Sequence, residues 1–140
     1  MDQKVKAAIE EAVKKEPFAR ALQMQLAELA DGYSVVHMIY EPEKMNNMYA
    51  RAHGGALYSL IDEAFEAAGQ TDGTIVVALN VNVTYVSSPE PGQRLQAEAR
   101  RVSQTKKTAS YDIRVTDQNG QVIALCRALA FRTGKPIPFL

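Results

Sequence analysis

Apolar residues recur along this chain first at helical and then at strand spacing. Val5, Ala8, Ile9, Ala12 and Val13 follow the three-and-four rhythm of one helix face, with lysines and glutamates between them, and predict an amphipathic helix. Pro17 ends it or opens a second short helix through Phe18, Ala21 and Leu22, because proline fits a first turn but not a helix interior. Met24 to Ala30 and Tyr33 to Tyr40 read as strands. Between them Asp31-Gly32 supplies the positive φ angles of a two-residue hairpin. Glu41 to Ala52 is a polar, proline-containing loop, and Gly55 to about Gly69 is the one long central helix. Then the period falls to two. Ile75, Val77, Leu79, Val81, Val83 and Tyr85 alternate with Val76, Ala78, Asn80, Asn82 and Thr84, predicting a strand of about a dozen residues that ends near Pro89 and Pro91-Gly92. Three further strands, Arg94 to Ser103, Thr108 to Asp117 and Gln121 to Arg132, are separated by segments short enough for hairpins.

The order is therefore helix, two strands, a central helix and four strands. An antiparallel sheet of about six strands needs one face covered, and the central helix, rich in small and aliphatic residues, is available to be wrapped by it. This is an α+β architecture with an added N-terminal helix. No repeat, low-complexity stretch or linker divides it, so residues 1–140 read as one domain, with 1–22 a helical segment and 23–133 the core. A chain of 140 residues with 46% hydrophobic content can bury a core of its own.

Charge and special residues narrow the function. Sixteen basic and sixteen acidic side chains cancel, so no overall field favours nucleic acid or an anionic membrane surface. No apolar run is long enough to span a bilayer and the start lacks the apolar region of a signal peptide; the expectation is a cytoplasmic protein with neither nucleic acid nor membrane as partner. Cys126 is the single cysteine and cannot form an intrachain disulfide. With only His37 and His53 beside it, no metal-ligand cluster of recognisable spacing exists, and Cys126 reads as a small core residue. His37 alternates within a strand and reads as structural.

Chemistry concentrates between Asn47 and Asp62, in N-M-Y-A-R-A-H-G-G-A-L-Y-S-L-I-D. The two glycines after His53 let the backbone turn tightly into a helix, whose first N–H groups lack intrahelical partners and point outward with the positive end of the helix dipole. Those donors suit an oxyanion. Eight residues beyond Gly54, Asp62 is a carboxylate on an otherwise mostly apolar helix, where a general base or nucleophile can sit. On a helical wheel it falls between the Tyr58/Phe65 edge and a polar Ser59/Glu63/Glu66 face, a boundary position that partly desolvates it and raises its pKa.

The element order and the pattern N-x5-H-G-G-x6-D, formed by Asn47, His53, Gly54, Gly55 and Asp62 and followed by N-V-T-Y-V-S-S-P at Asn82 to Pro89, resemble the hotdog-fold acyl-CoA thioesterases of the phenylacetate-degradation (PaaI-like) type. The resemblance covers roughly Leu22 to Arg132. It implies hydrolysis of an acyl-CoA to free acid and coenzyme A, with no metal or redox cofactor. Asp62 would activate water or attack the thioester carbonyl, the Gly54 N–H would act as oxyanion hole, Asn47 would orient water or substrate, and His53 would brace the loop. Gly55, Tyr58, Asn82, Lys106, Lys107 and Thr108 would meet the substrate, with Leu57 and Ile61 also lining the pocket. The resemblance further implies that two chains pair edge to edge into a homodimer, the catalytic unit, with sites at the interface, and that dimers stack into homotetramers. One position departs from the pattern: where many relatives carry serine or threonine to hold the water or the aspartate, this chain has Ala78. That loss also fits a domain that binds or senses acyl-CoA without turning it over.

Each residue also has a plainer role. Asp62 could serve as an exposed helix acid, His53 and Asn47 as capping and turn residues, and the glycines as packing sites. Lys106-Lys107 and Arg100-Arg101 fit either coenzyme A phosphates or solvated surface.

Overall fold

The computed structural model describes residues 1–140. Helix α1 (Gln3–Lys15) is capped by Asp2, whose carboxylate accepts the Lys4 and Val5 N–H groups, and α2 (Pro17–Ala21) opens on proline. Strands β1 (Gln25–Ala30) and β2 (Tyr33–Ile39) form the expected hairpin. Only Gly32 has a positive φ, 62°, so the Asp31-Gly32 turn uses one left-handed residue where two were expected. The Arg101 side chain lies against Gly32 and its guanidinium holds Asp31 at 2.6 Å, sealing this turn. Inside the expected loop Pro42–Met45 forms a short helix, α3, and α4 (Gly54–Gly69) follows. The last four strands are β3 (Thr74–Tyr85), β4 (Arg94–Gln104), β5 (Thr108–Thr116) and β6 (Val122–Pro136).

All pairings are antiparallel, in the order β1-β2-β4-β5-β6-β3. Strand β3 crosses from α4 to the far edge. One face of the sheet curls round α4, and small residues on both sides let helix and sheet approach: Ala64 and Ala68 on α4, with Ala97, Ala99, Ala109, Ala128 and Ala130 on the strands, are all buried. Phe65 meets Tyr111 edge to face at a centroid distance of 5.3 Å, filling the space those alanines leave.

The structure refines the sequence reading at three places. Val5, Ile9 and Val13 do form a buried stripe, but they pack with Leu29, Ala67 and Ile137. Leu29 pairs in register with Ser34, whose hydroxyl donates to the Ala64 carbonyl of α4, so α1 lies on the helix-bearing side of the sheet, beside the C-terminal half of α4. It covers neither the outer face nor the Gly54 end. In α2, Ala19 is buried while Phe18 is exposed, because one five-residue helix turns only its middle inward.

The second change concerns β3. A bulge between Ala78 and Asn80 inserts Leu79 as an extra residue and reverses the alternation. Val76 and then, past the bulge, Val81 and Val83 pack on the core, whereas Val77 and Leu79 are exposed. The third is Glu63, expected on the polar face of α4 but only 4% exposed, because the α1–α2 junction, where Glu16 sits, lies over that side.

Candidate active site

The loop before α4 is closed by its own backbone. Asn46 bridges to Ala52, the Asn47 N–H donates to the Arg51 carbonyl at 2.7 Å, and the His53 N–H donates to the Met45 carbonyl at 2.7 Å. Within it the Asn47 Oδ1 accepts the Tyr49 and Arg51 N–H groups at 2.9 and 3.1 Å. That carboxamide oxygen is committed to the turn, which leaves the Asn47 NH₂ as its outward donor.

His53 is the N-cap of α4, in extended backbone, and its Nδ1 accepts the Gly55 N–H at 2.9 Å. Nδ1 therefore carries no proton, and a neutral ring presents Nε2–H outward as a donor. Neither Gly54 nor Gly55 has a positive φ; they are needed for close approach, not for a tight turn. A Cβ on Gly54 would lie 3.2 Å from the Tyr85 ring, and one on Gly55 would lie 3.1 Å from the capping Nδ1. The Tyr85 hydroxyl donates to the Gly54 carbonyl at 3.1 Å, so β3 clamps the first residue of the helix. The Gly54 N–H has no partner within the chain and sits at the positive end of a 16-residue helix. Asn47, Gly54, Leu57 and Tyr85 together line a cleft of about 340 Å³. Tyr85 is the residue that reasoning from the glycine motif missed; the downstream N-V-T-Y segment contained it.

Asp62 is elsewhere. It lines a second cleft, of about 220 Å³, with Phe65, Glu66, Val76, Val77, Ala78 and Ala130. Eight residues of helix rise about 12 Å, too far for the Gly54 N–H and the Asp62 carboxylate of one chain to act on the same carbonyl. The side chain is exposed in the single chain rather than at a boundary, yet the apolar neighbours still desolvate it and push its carboxyl above the ordinary aspartate range. Ala78 stands beside it with only a methyl group to offer.

The remaining predicted substrate contacts are spread out. Tyr58 is partly exposed on α4, near enough to Asp62, Cys126 and Tyr85 for their charges to raise its phenol pKa after burial. Asn82 points to the outer face of the sheet, into a cleft with Glu98, Arg100, Asp112, Arg114 and Arg127, and so stands apart from Asp62 in one chain. Lys106 and Lys107 lie in the exposed β4–β5 turn and the half-buried Thr108 opens β5; the Lys107 ammonium lies 5.8 Å from the Phe131 ring centroid, and the Thr108 hydroxyl is 3.0 Å from that of Thr105. Register places Ala109, Ala130 and Ala78 in one row across β5, β6 and β3, so the turn lies two strands, about 10 Å, from the level of Ala78. Arg100 stacks on Tyr33 and pairs with Glu98, and Arg101 holds Asp31; both arginines are occupied by the fold. His37 meets Gln96 across the β2–β4 pair.

Cys126 is buried on the core side, and desolvation pushes its thiol up to about 11. At pH 8 an aromatic disulfide reagent should leave the folded protein unmodified and titrate one thiol on addition of denaturant; rapid reaction in the native state would place Cys126 in an open site.

A family model for the thioesterase superfamily matches residues 49–124. The chain is 32% identical over 119 residues to the acyl-coenzyme A thioesterase PaaI of Escherichia coli, covering 85% of this chain and 84% of that protein. The solved structure of the E. coli PaaI protein, from the phenylacetic acid degradation operon, superposes with a TM-score of 0.90 at 30% identity and 96% coverage of both chains. A Streptococcus mutans protein solved with acetyl-CoA bound superposes with a TM-score of 0.77 at 27% identity, covering 81% of this chain and 91% of that one.

Proposed function

The chain belongs to the thioesterase superfamily and is a thioester hydrolase, and from that premise we propose that it cleaves acyl-CoA thioesters to a free acid and coenzyme A in a site shared by two copies. The observation that carries this reading is the unpartnered Gly54 N–H at the head of α4, with the desolvated Asp62 carboxylate about two turns further along the same helix. The N–H donates to the thioester carbonyl oxygen and stabilises the charge that develops there as the carbonyl carbon becomes tetrahedral. Asp62 takes the proton of an attacking water, or attacks the carbonyl carbon itself, and collapse of the adduct breaks the C–S bond to release the thiolate. The acetyl-CoA seen on the Streptococcus mutans protein supports coenzyme A as the carrier.

Strand β3 supports the pairing of two copies. It is an edge strand with its outer row of backbone groups unpaired, and Val77, Leu79, Tyr85 and Val86 along it, with Met48 and Tyr49 in the adjoining loop, are exposed. Antiparallel pairing of β3 with its counterpart brings the Tyr85 end of one strand to the Ala78 end of the other. Tyr85 holds Gly54, and Ala78 lies beside Asp62, so each pairing assembles a donor from one copy with a carboxylate from the other.

Thiol release measured across acyl-CoAs of increasing chain length tests the activity. Turnover of at least one member is expected; no release from any of them at enzyme concentrations above substrate would overturn the reading. Ala78→Ser restores a hydroxyl beside Asp62 and, if water is the attacking group, should raise kcat by roughly tenfold through better positioning. An unchanged kcat would remove the hydroxyl from the mechanism and leave direct attack by Asp62.

A further inference from the structure

Three carboxylates outside the proposed reaction converge where the first two helices meet α4. Glu16 follows α1 and precedes α2, yet its side chain caps neither helix. Glu63 and Glu66 lie one turn apart on α4, and one carboxylate oxygen from each of the three falls within 4.8 Å of the others. Glu63 is 4% exposed and its Oε1 is buried with no hydrogen-bond partner, which is the costly state for a charged oxygen.

The groups facing this cluster supply no compensating charge. Asp62 adds a fourth carboxylate, and Gln70 offers one amide N–H to Glu66 at 3.4 Å. The lysines at the end of α1, Lys14 and Lys15, are turned to Glu11. Burial first, and the Glu16 and Glu66 charges next, push the Glu63 carboxyl up to about 8. Neither a lysine nor an arginine answers these acids, and nothing in the hydrolysis uses them.

We propose that Glu16, Glu63 and Glu66 form a binding site for a hard divalent cation, calcium. The donor set is all oxygen, which favours calcium or magnesium over thiolate- and imidazole-seeking metals. Coordination flexibility favours calcium: it accepts several carboxylates in irregular geometry, whereas magnesium demands a near-ideal octahedron and gives up its water reluctantly. The partly exposed Glu16 and exposed Glu66 leave room for water in the remaining coordination positions. A cation here would tie the α1–α2 junction to α4 one residue from Asp62. Neither the histidines nor the cysteine take part, and a glutamate 47 positions upstream of its partners leaves no spacing signature.

The test uses the full chain stripped by a chelator, titrated calorimetrically with calcium in one arm and magnesium in another, and unfolded thermally in each. One saturable calcium site per chain is expected, binding more tightly than magnesium and raising the unfolding midpoint by about 10 °C at a hundredfold excess over Kd. Glu63→Gln and Glu16→Gln, tested separately, should each weaken calcium binding tenfold or more. Without calcium both should unfold at or above the wild-type midpoint, Glu16→Gln because it removes a repelling charge and Glu63→Gln because a neutral amide replaces a buried carboxyl that ionises only at a cost. No saturable heat and no midpoint shift in the wild type would overturn the proposal. Undiminished calcium binding in both variants would do so equally, and tighter binding of magnesium would overturn the assignment to calcium.

Discussion

Replacing Asp62 by asparagine is expected to lower kcat for acyl-CoA hydrolysis by about 10²–10⁴-fold, the usual contribution of a positioned base or nucleophile. The two side chains are nearly isosteric, so the cleft formed with Phe65, Ala78 and Ala130 keeps its shape. Stability should be unchanged or slightly higher, since asparagine carries no desolvated charge. In chelator-treated buffer the pH profile adds a second readout. Only the ionised carboxylate can act, and desolvation holds Asp62 above its ordinary value of 3.8, so the rate climbs with pH through that raised value and levels off above it. In the proposed dimer a second copy packed against the exposed side of Asp62 would desolvate it further and move the limb higher. The residual activity of Asp62→Asn should show no such limb. Equal turnover in the two proteins, measured by thiol release, would remove Asp62 from the chemistry.

The other large effect is expected at Gly54, where proline deletes the N–H and adds a ring that Tyr85 must accommodate. Gly54 is the first residue of α4, a position proline favours, and His53 before it has φ −63° and ψ 134°, a conformation that tolerates a following proline. The Tyr85 ring must give by a few tenths of an ångström, because a Cβ here would lie 3.2 Å from it. Loss of an oxyanion donor should cost about 10²–10³ in kcat. Mixing then decides where the site lies. In a heterodimer of Gly54→Pro and Asp62→Asn, one of the two sites pairs an intact Gly54 with an intact Asp62. Co-refolding equal amounts of the two inactive proteins should restore about one quarter of wild-type activity, half the dimers having one good site each. A site within one chain gains nothing from mixing, and no recovery would overturn the shared arrangement.

Most of the architecture could be read from the sequence because period and burial agree along most elements. The Val5–Ile9–Val13 stripe, the apolar face of the Gly54–Gly69 helix and the last three strands bury the residues their spacing singles out. The bulge at Leu79 escaped that reading. Alternation records which residues are apolar, and one inserted residue exchanges the faces without changing the alternation itself. Glu63 escaped for a related reason: a helical wheel ranks the faces of one helix but is blind to the α1–α2 junction that covers a polar one.

The candidate site divides in the same way. His53 as the cap and Gly54 as the free donor follow from local rules of helix starts, which act over a few residues and are visible in them. The Tyr85 clamp on Gly54 joins residues 31 apart and depends on tertiary packing. The outward direction of Asn82 depends on the bulge before it, which sets which residues of β3 face the core. Lys106 and Lys107 sit on a turn whose distance from Ala78 is fixed only by the register of β5 and β6.

The position of β3 at the end of the order has a consequence for biosynthesis. Its only strand partner, β6, begins at Val122, whereas β3 is complete at Tyr85. A ribosome working at 5–20 residues per second needs about 2–7 s to make the intervening segment. For that interval the nascent chain carries an apolar, β-branched strand with both edges free, and neighbouring chains on the same message present the identical strand. Premature association between nascent copies therefore competes with closure of the sheet. The polar outer residues Asn80, Asn82 and Thr84 interrupt the apolar run that such association would use.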